Sequence, residues 1–280
     1  ANLQMADSRV LGRRTSVLTG DAADTISITN SVFAGRFALA TAGGQDRISF
    51  DRARFGTTRI DDGAGLDAIE IRLSYNFDRG PLGWQAGFAD YTGAQLEDPV
   101  AKHDTLPTNI GGRGWQVGAT NRSDDLVSYL TRGIGRREGL VADAAYVLAF
   151  DVAFASDARN NAGGIGGAEG ESVVLKLGAS PQTPTTSGEL NRLNIDIGDQ
   201  FTSGPAASTS GNIANGRDAN VYPDSDNRPY VKVRREHTHT YPVQSSADGT
   251  LNLFVGTESG YEGRTVLLYR RVDVTLRTQR

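Results

Sequence analysis

Three short segments near the start of the chain repeat one pattern. They read GDAADTISI over 20–28, GGQDRISF over 43–50 and GAGLDAIEI over 63–71. Their aspartates, Asp24, Asp46 and Asp67, follow one another at steps of 22 and then 21 residues. A constant repeat of about twenty residues is typical of chains that coil, with each turn stacked on the previous one. Within each segment D-x-I-x-I/F puts alternate apolar side chains on one face, so the repeat predicts stacked parallel strands.

A second apolar alternation lies between these segments. It is carried by Phe33, Phe37, Leu39, Phe55 and Ile60. Two strands per repeat are what one rung of a parallel β-solenoid needs, and rungs must stack because none buries its inner face alone. We therefore predict a short solenoid over residues 1–75. An open solenoid end would expose unpaired backbone, so we expect the next domain, another subunit or further rungs to cover it.

The TNSVF and G-x-D-x-I-x-I segments resemble the rungs of bacterial right-handed β-helices. They are also loosely similar to the Gly- and Asp-rich nonapeptides of calcium-binding secreted toxins, although those repeat every nine residues or so. This second resemblance implies calcium, with carboxylates as hard oxygen ligands. The alternative is that these carboxylates accept backbone N–H bonds at the corners of the coil. The candidate calcium ligands are Asp21, Asp24, Asp46, Asp62 and Asp67.

Composition restricts the classes of function. The 280 residues include 34 glycines and no cysteine, which excludes disulfides, Fe–S clusters and thiolate zinc sites. The net charge of −4 argues against nucleic acid as a partner. No apolar run is long enough to span a bilayer as a helix, and the first residues do not form a signal peptide. We expect a bacterial secreted or surface protein whose export signal was removed or lies upstream of residue 1.

The repeat stops after Ile71, and the pattern of apolar and turn-forming residues changes. Pro81 and several glycines indicate a linker, and a new domain is predicted over residues 76–280. Many alternating segments separated by turns predict an antiparallel β-sandwich of the jelly-roll type, so the whole chain is all-β. Only Ser123 to Gly135 has a helical pattern. The strongest strand candidates are 115–119, 145–154, 171–177, 192–197, 230–234, 238–243, 250–256 and 265–275.

Two of these segments, YVLAFDVAFASDA and LLYRRVDVTL, resemble the central and final strands of galactose-binding-like jelly rolls. That fold is shared by many carbohydrate-binding modules, so the resemblance implies glycan binding. The chain departs from the family at Arg271, where an aspartate is common, which disfavours a metal at that position. The GWQAGFADY and NRSDDL segments also resemble domains of bacterial surface proteins without an assigned activity.

The WQAGFADY segment carries candidate ligand-binding residues: Trp84, Phe88, Asp90 and Tyr91. Exposed aromatics beside carboxylates suit a sugar, whose apolar face stacks while its hydroxyls find acceptors. The alternative is that Trp84 and Phe88 fill the seam between the two domains.

Two glycine-rich loops, 160–172 and 260–264, supply further candidates. Neither has the strand–loop–helix context of a phosphate-binding loop. Loops at the rim of a sandwich are common places for ligand contacts. The candidates are Glu169, Glu171, Glu258, Tyr261 and Glu262.

Two remaining motifs allow alternative interpretations. Asp124 and Asp125 in NRSDDL form a carboxylate pair that could bind calcium or serve in acid–base chemistry; alternatively, Ser123 or Asp124 caps the predicted helix. His237 and His239 share one face of a strand and, with Glu236 or Asp151, could hold a transition metal. A surface strand with two exposed histidines is the alternative.

These observations favour a non-enzymatic protein that adheres or binds glycans through the jelly roll on a solenoid scaffold. One alternative is a structural subunit of an extracellular filament or surface layer that self-assembles through the solenoid end or the sheet edges. A second is a polysaccharide-degrading enzyme, which fold analogy alone supports.

Overall fold

The structure, a computed structural model, describes residues 2–61, 67–222 and 228–279. The first part of the chain is built from short strands. They are β1 (Asn2–Ala6), β2 (Arg9–Val10), β3 (Arg14–Leu18), β4 (Thr25–Thr29), β5 (Val32–Ala40), β6 (Arg47–Asp51), β7 (Arg54–Asp61) and β8 (Ala68–Asn76).

These strands form the predicted parallel β-solenoid. One sheet stacks β1, β4, β6 and β8, and the other pairs β5 with β2, β3 and β7, all in parallel. Equivalent residues stack in register, as Ile26, Ile48 and Ile69 do. The pairing of β1 with β4 adds a rung that the aspartate repeat does not predict, because NLQMA lacks the D-x-I-x-I signature.

Phenylalanines fill the interior between the two solenoid sheets. Phe33 and Phe55, one rung apart, stack with ring centroids 5.3 Å apart, and Phe37 lies 4.8 Å from Phe55. Phe50 of the other sheet meets Phe55 edge-on at 5.1 Å. All four rings are almost fully buried, so stacking buries the apolar face that a single rung leaves exposed.

The second part of the chain is antiparallel. Three 3₁₀ helices, Phe77–Arg79, Gly93–Gln95 and Arg136–Glu138, interrupt its strands. The strands are β9 (Gln85–Ala89), β10 (Leu96–Thr105), β11 (Arg113–Asn121), β12 (Leu126–Ile134), β13 (Ala145–Ser156), β14 (Val173–Ser180), β15 (Thr186–Ser187), β16 (Arg192–Leu193), β17 (Ala207–Asn212), β18 (Val231–Thr238), β19 (Val243–Gln244), β20 (Leu251–Ser259) and β21 (Arg264–Thr278).

The sandwich consists of two sheets. One has the order β17-β14-β20-β12-β9. The other is organised by the long strand β21, which pairs with β13 along one edge and with β11 and then β8 along the other. Since β8 also belongs to the solenoid, a solenoid sheet continues into the sandwich, and the neighbouring domain covers this end of the coil. The all-β prediction, with a solenoid followed by a sandwich, is confirmed.

The main apolar cluster runs through both parts. It extends from Ile26 and Phe33 in the solenoid to Leu253 and Leu276 in the sandwich. The predicted domain boundary at residue 75 falls at the end of β8, and the core continues across it. Over the residues that the structure describes, no helix has the length and apolar character needed to cross a membrane.

The helix predicted over Ser123 to Gly135 is wrong, because this segment contains strand β12. Val127 and Tyr129 of this strand pack into one apolar cluster, while Leu130 and Ile134 pack into the main core on its other face. A central strand buried on both faces reads as a continuous apolar run, which periodicity alone does not separate from a helix.

Candidate functional site

The repeated aspartates stack along one corner of the solenoid. Asp24, Asp46 and Asp67 are all buried. The Asp24 amide donates to Asp46 Oδ1 at 2.7 Å, and the Asp46 amide donates to Asp67 Oδ1 at the same distance. Asp46 and Asp67 therefore accept backbone N–H bonds at the corner, as the alternative to calcium predicted.

The calcium candidates do not come together as a ligand set in the described part of the chain. Asp21 is exposed next to the buried corner, and Asp62 lies outside the described residues. Among residues 2–61, 67–222 and 228–279, no three His, Asp or Glu side chains are grouped so that they could hold a metal ion. Calcium binding stays an untested prediction.

Trp84 lies in the seam between solenoid and sandwich. Its side chain is 2 % exposed, and its ring meets Tyr75 and Phe77 edge-on at 5.4 and 6.0 Å. A ring in this position has no exposed face on which a sugar could stack. Phe88 is half-buried on β9 opposite Ser128 of β12.

Acidic residues from three distant segments meet at one end of the sandwich. Val127 on β12 lies opposite Ala89 on β9 and opposite Glu258 on β20. This register brings Asp90, which follows β9, and Asp125, which precedes β12, next to Glu258. The segment 192–200 crosses the same end of the sheet. Together they line a cleft of about 290 Å³, the acidic cleft, whose polar residues are Asp90, Asp125, Arg192, Asp196, Asp199, Gln200 and Glu258.

Burial changes the acidity of two of these side chains. It raises the pKa of Glu258 to about 7, against the opposing effect of Lys176, and the charges of Asp125 and Asp90 raise it further. Burial also raises the pKa of Asp90, while its hydrogen bond from Arg192 Nη1 at 3.2 Å acts in the opposite direction. The cleft thus holds carboxyl groups that bind protons more readily than free ones do.

Lys176 lies beneath the acidic cleft and contacts two parts of its lining, Glu258 and the 197–202 segment. Its side chain is fully buried, and Nζ lies 3.1 Å from Glu258 Oε2. The same ammonium donates to three backbone carbonyls of the crossing segment: Ile197 at 3.2 Å, Asp199 at 2.5 Å and Thr202 at 2.7 Å. One cation therefore fixes both Glu258 and the 197–202 backbone. In the sequence, the only local signal of this role is a lone charge inside the apolar strand VVLKLG.

The two glycine-rich loops contact each other, and of their candidates only Glu258 lines the acidic cleft. The Glu262 amide donates to the Ile165 carbonyl at 2.9 Å, and the Gly260 amide donates to the Ser172 carbonyl at 3.0 Å. Tyr261 packs against the main core.

Tyr91, the last candidate of the WQAGFADY segment, is held by a hydrogen bond from its amide to the Leu190 carbonyl at 3.0 Å.

Glu169 and Glu171 also bind within the protein. Glu169 is buried and accepts from Arg159 Nε at 2.8 Å and from Arg228. Glu171 accepts from the Asn161 amide at 2.9 Å. Both acids order the loop that carries them.

His237, near the end of β18, and His239, just after it, face the same way, as predicted, and both contact Ser208 Oγ. His237 Nε2 lies 2.6 Å from that oxygen and His239 Nδ1 lies 2.8 Å from it. His239 Nε2 donates to the Pro205 carbonyl at 3.1 Å, so its Nδ1 accepts from the serine hydroxyl. Burial lowers the pKa of both rings, so the neutral forms are favoured. Asp151 binds Arg234 instead and does not join the histidines.

Comparison with known protein families and with curated proteins finds no match to this sequence. Solved structures that are partly similar include carbohydrate-binding modules and adhesin domains. One is a carbohydrate-binding module of the β-sandwich superfamily, with a TM-score of 0.33 and 10% identity over 70% of this chain; the chain spans 58% of that structure.

Two others are matched over most of their length. A cleaved adhesin domain of Lys-gingipain from Porphyromonas gingivalis has a TM-score of 0.34 and 10% identity, covering 74% of this chain and 98% of that one. A xylan-binding domain from Paenibacillus barcinonensis has a TM-score of 0.33 and 13% identity, covering 73% and 92%.

Proposed function

We propose that this protein is a secreted or surface-attached bacterial glycan-binding protein, and that the sugar binds in the acidic cleft. One observation carries the proposal. Asp90, Asp125 and Glu258, which are far apart in the sequence, line a single cleft together with Arg192 and Gln200.

The chemistry of the cleft suits the hydroxyl groups of a sugar. Ionised carboxylates accept hydrogen bonds, while Arg192 and the amide of Gln200 can donate them. Leu193, Ile195 and Ile197 give the lining an apolar component. A few convergent polar groups on an apolar surface are the usual composition of small-molecule sites.

The supports behind the cleft restrict its motion. Lys176 binds Glu258 and the 197–202 backbone at once, so one cation ties the carboxylate to the crossing segment. Gln200 is held by a bond from its Nε2 to the Ser172 carbonyl at 2.5 Å. A site whose groups are already positioned loses less entropy on binding.

A glycan array followed by calorimetry on the strongest hit tests the proposal. Asp125→Asn removes one carboxylate of the cleft and keeps its size, so we expect an affinity about tenfold weaker, equivalent to about 1.4 kcal/mol. Asp248→Asn, an exposed turn residue elsewhere, makes the same change of charge and should leave the affinity unchanged. The absence of any hit, or an equal affinity for D125N and wild type, would refute the proposal.

A second candidate function, glycoside hydrolysis, is favoured by the grouping of three acids in one cleft. Such enzymes use one carboxyl group as an acid and a second as nucleophile or base. Glu258, with its pKa raised to about 7, has the acidity expected of the proton donor. Release of reducing ends from the array hit, abolished in Glu258→Gln, would establish hydrolysis. Binding without release of reducing ends would leave glycan binding as the function.

A further inference from the structure

A second cleft lies where the solenoid meets the sandwich, away from the acidic cleft. It has a volume of about 620 Å³, and we name it the junction cleft. The residues that define it here are Asn30, Arg52, Arg54, Asn76, Arg79 and Arg271. They come from two rungs of the solenoid, from the end of β8 and the 3₁₀ helix after it, and from β21. Only the packing of the two parts brings them together.

The corner of the solenoid fixes the position of two of these residues. Asn30 and Arg52 occupy equivalent places one rung apart, and both have left-handed backbone, with φ of 48° and 51°. Their amides donate to the carbonyls of Asp51 and Arg72 at 2.8 Å. The corner is therefore regular and hydrogen-bonded.

The guanidinium groups of the junction cleft keep hydrogen-bonding capacity. Arg52 is half exposed and uses Nε and Nη2 on Asp51 at 3.1 and 3.2 Å. Arg271 contacts Asp273 at 3.0 Å and Asp151 at 3.4 Å. A guanidinium has five N–H donors, so these arginines retain donors for a ligand.

The other two arginines add to the positive charge of the junction cleft. Arg54 uses Nη1 on Glu138 at 3.3 Å, and its side chain stays half exposed. Arg79 is exposed and has no ion-pair partner among the described residues. None of the described residues that line the cleft is acidic.

The arrangement selects an anionic ligand and disfavours nucleic acid. Arginine forks bind carboxylate and sulfate oxygens in pairs, and amides such as those of Asn30 and Asn76 can bind hydroxyls. The aromatic residue of the lining, Tyr75, is 2 % exposed and offers no face for stacking bases.

We propose that the junction cleft binds the acidic groups of an anionic polysaccharide, a uronate-bearing or sulfated chain. This site is independent of the acidic cleft and of the function proposed for it. A carboxylate or sulfate replaces water on guanidinium groups supplied by both parts of the molecule. Binding there would bridge the solenoid and the sandwich.

Affinity electrophoresis and calorimetry of the full chain with polygalacturonate and with heparin test the proposal, with neutral galactan as the uncharged comparison. We expect at least one polyanion to bind, more weakly at higher salt because the contacts are charged. Arg52→Ala/Arg79→Ala should weaken that binding about tenfold. Polygalacturonate binding alone identifies a uronate as ligand, and heparin binding alone identifies a sulfated chain.

The matched control is Arg9→Ala/Arg122→Ala, which removes the same charge from exposed positions outside the cleft. This variant should bind like wild type. No binding of either polyanion, or an equal loss in the control, overturns the proposal. The proposal would also be overturned if single-stranded DNA bound as tightly as the polyanionic polysaccharide and if that binding were lost in Arg52→Ala/Arg79→Ala. Asp125→Asn, which tests the acidic cleft, should leave polyanion binding intact, so the two proposals fail separately.

Discussion

Buried acids in the solenoid and in the sandwich differ in what they bind. In the solenoid, Asp46 and Asp67 each accept a backbone N–H from the neighbouring rung at 2.7 Å. In the sandwich, Glu258 meets the ammonium of Lys176, and burial raises its pKa to about 7. The solenoid acids thus use a partner that every rung repeats, whereas Glu258 depends on one residue of another strand.

This difference in partners separates a structural role for the solenoid acids from a ligand-binding role for Glu258. A carboxylate bonded to the backbone of the neighbouring rung stabilises the coil. A carboxylate held at a cleft by a remote cation keeps an unusual acidity and can meet a ligand, which is the pattern of functional sites.

The largest effect is expected from Lys176→Met. The substitution leaves Glu258 and three carbonyls of the 197–202 segment without their cation, and removal of one partner from a buried ion pair costs about 3–5 kcal/mol. Urea unfolding measures the loss of unfolding free energy. Lys102→Met, at an exposed lysine, is the matched control. An unchanged midpoint in K176M would show that this cation does not hold the sandwich.

A smaller effect is expected from Asp46→Ala in the solenoid. It removes the acceptor of the buried Asp24 amide, a loss of about 1–3 kcal/mol. Asp46→Asn keeps an oxygen in the same place and should lose about 1 kcal/mol or less. The measurement is again urea unfolding, compared across the three proteins. Equal losses in D46A and D46N would mean that the charge of Asp46, and not its hydrogen bond, matters at this corner.

The smallest effect concerns the pH dependence of stability. Burial lowers the pKa of His237 and His239 in the folded protein below the ordinary histidine value of 6.5. Below pH 6.5 the two rings therefore bind more protons in the unfolded chain than in the folded one. Stability from the neutral rings is present above pH 6.5 and is lost as the pH falls below it, toward the folded values. Urea midpoints at pH 7.5, 6.5 and 5.5 would show this loss.

The histidine contribution must be separated from that of Glu258. The raised pKa of Glu258 gives a contribution of the opposite sign, which is lost as the pH rises from 4.5 through about 7. Comparison of wild type with His237→Asn/His239→Asn isolates the histidines. If both proteins change in parallel over this range, the Ser208 contacts carry no pH dependence.

Several single residues were predicted only in part. Asp90 and Glu258 were candidates from separate segments, and the structure places both in the acidic cleft. Trp84 was a candidate for sugar stacking, yet it is buried in the seam, the alternative that the sequence left open. Lys176 was not detected at all. Its importance depends on carbonyls about twenty residues further along the chain, and no local pattern encodes those contacts.

The sequence by itself determined the coil. A step of 21 to 22 residues with D-x-I-x-I/F is local and periodic, and stacking in register is the arrangement that buries its apolar face. Only the tertiary structure decided where the two clefts lie and which residues line them. The acidic cleft exists because β12 pairs with both β9 and β20, and the junction cleft exists because β8 pairs with β21. Pairings between distant strands depend on the packing of the whole core, which short patterns along the chain do not specify.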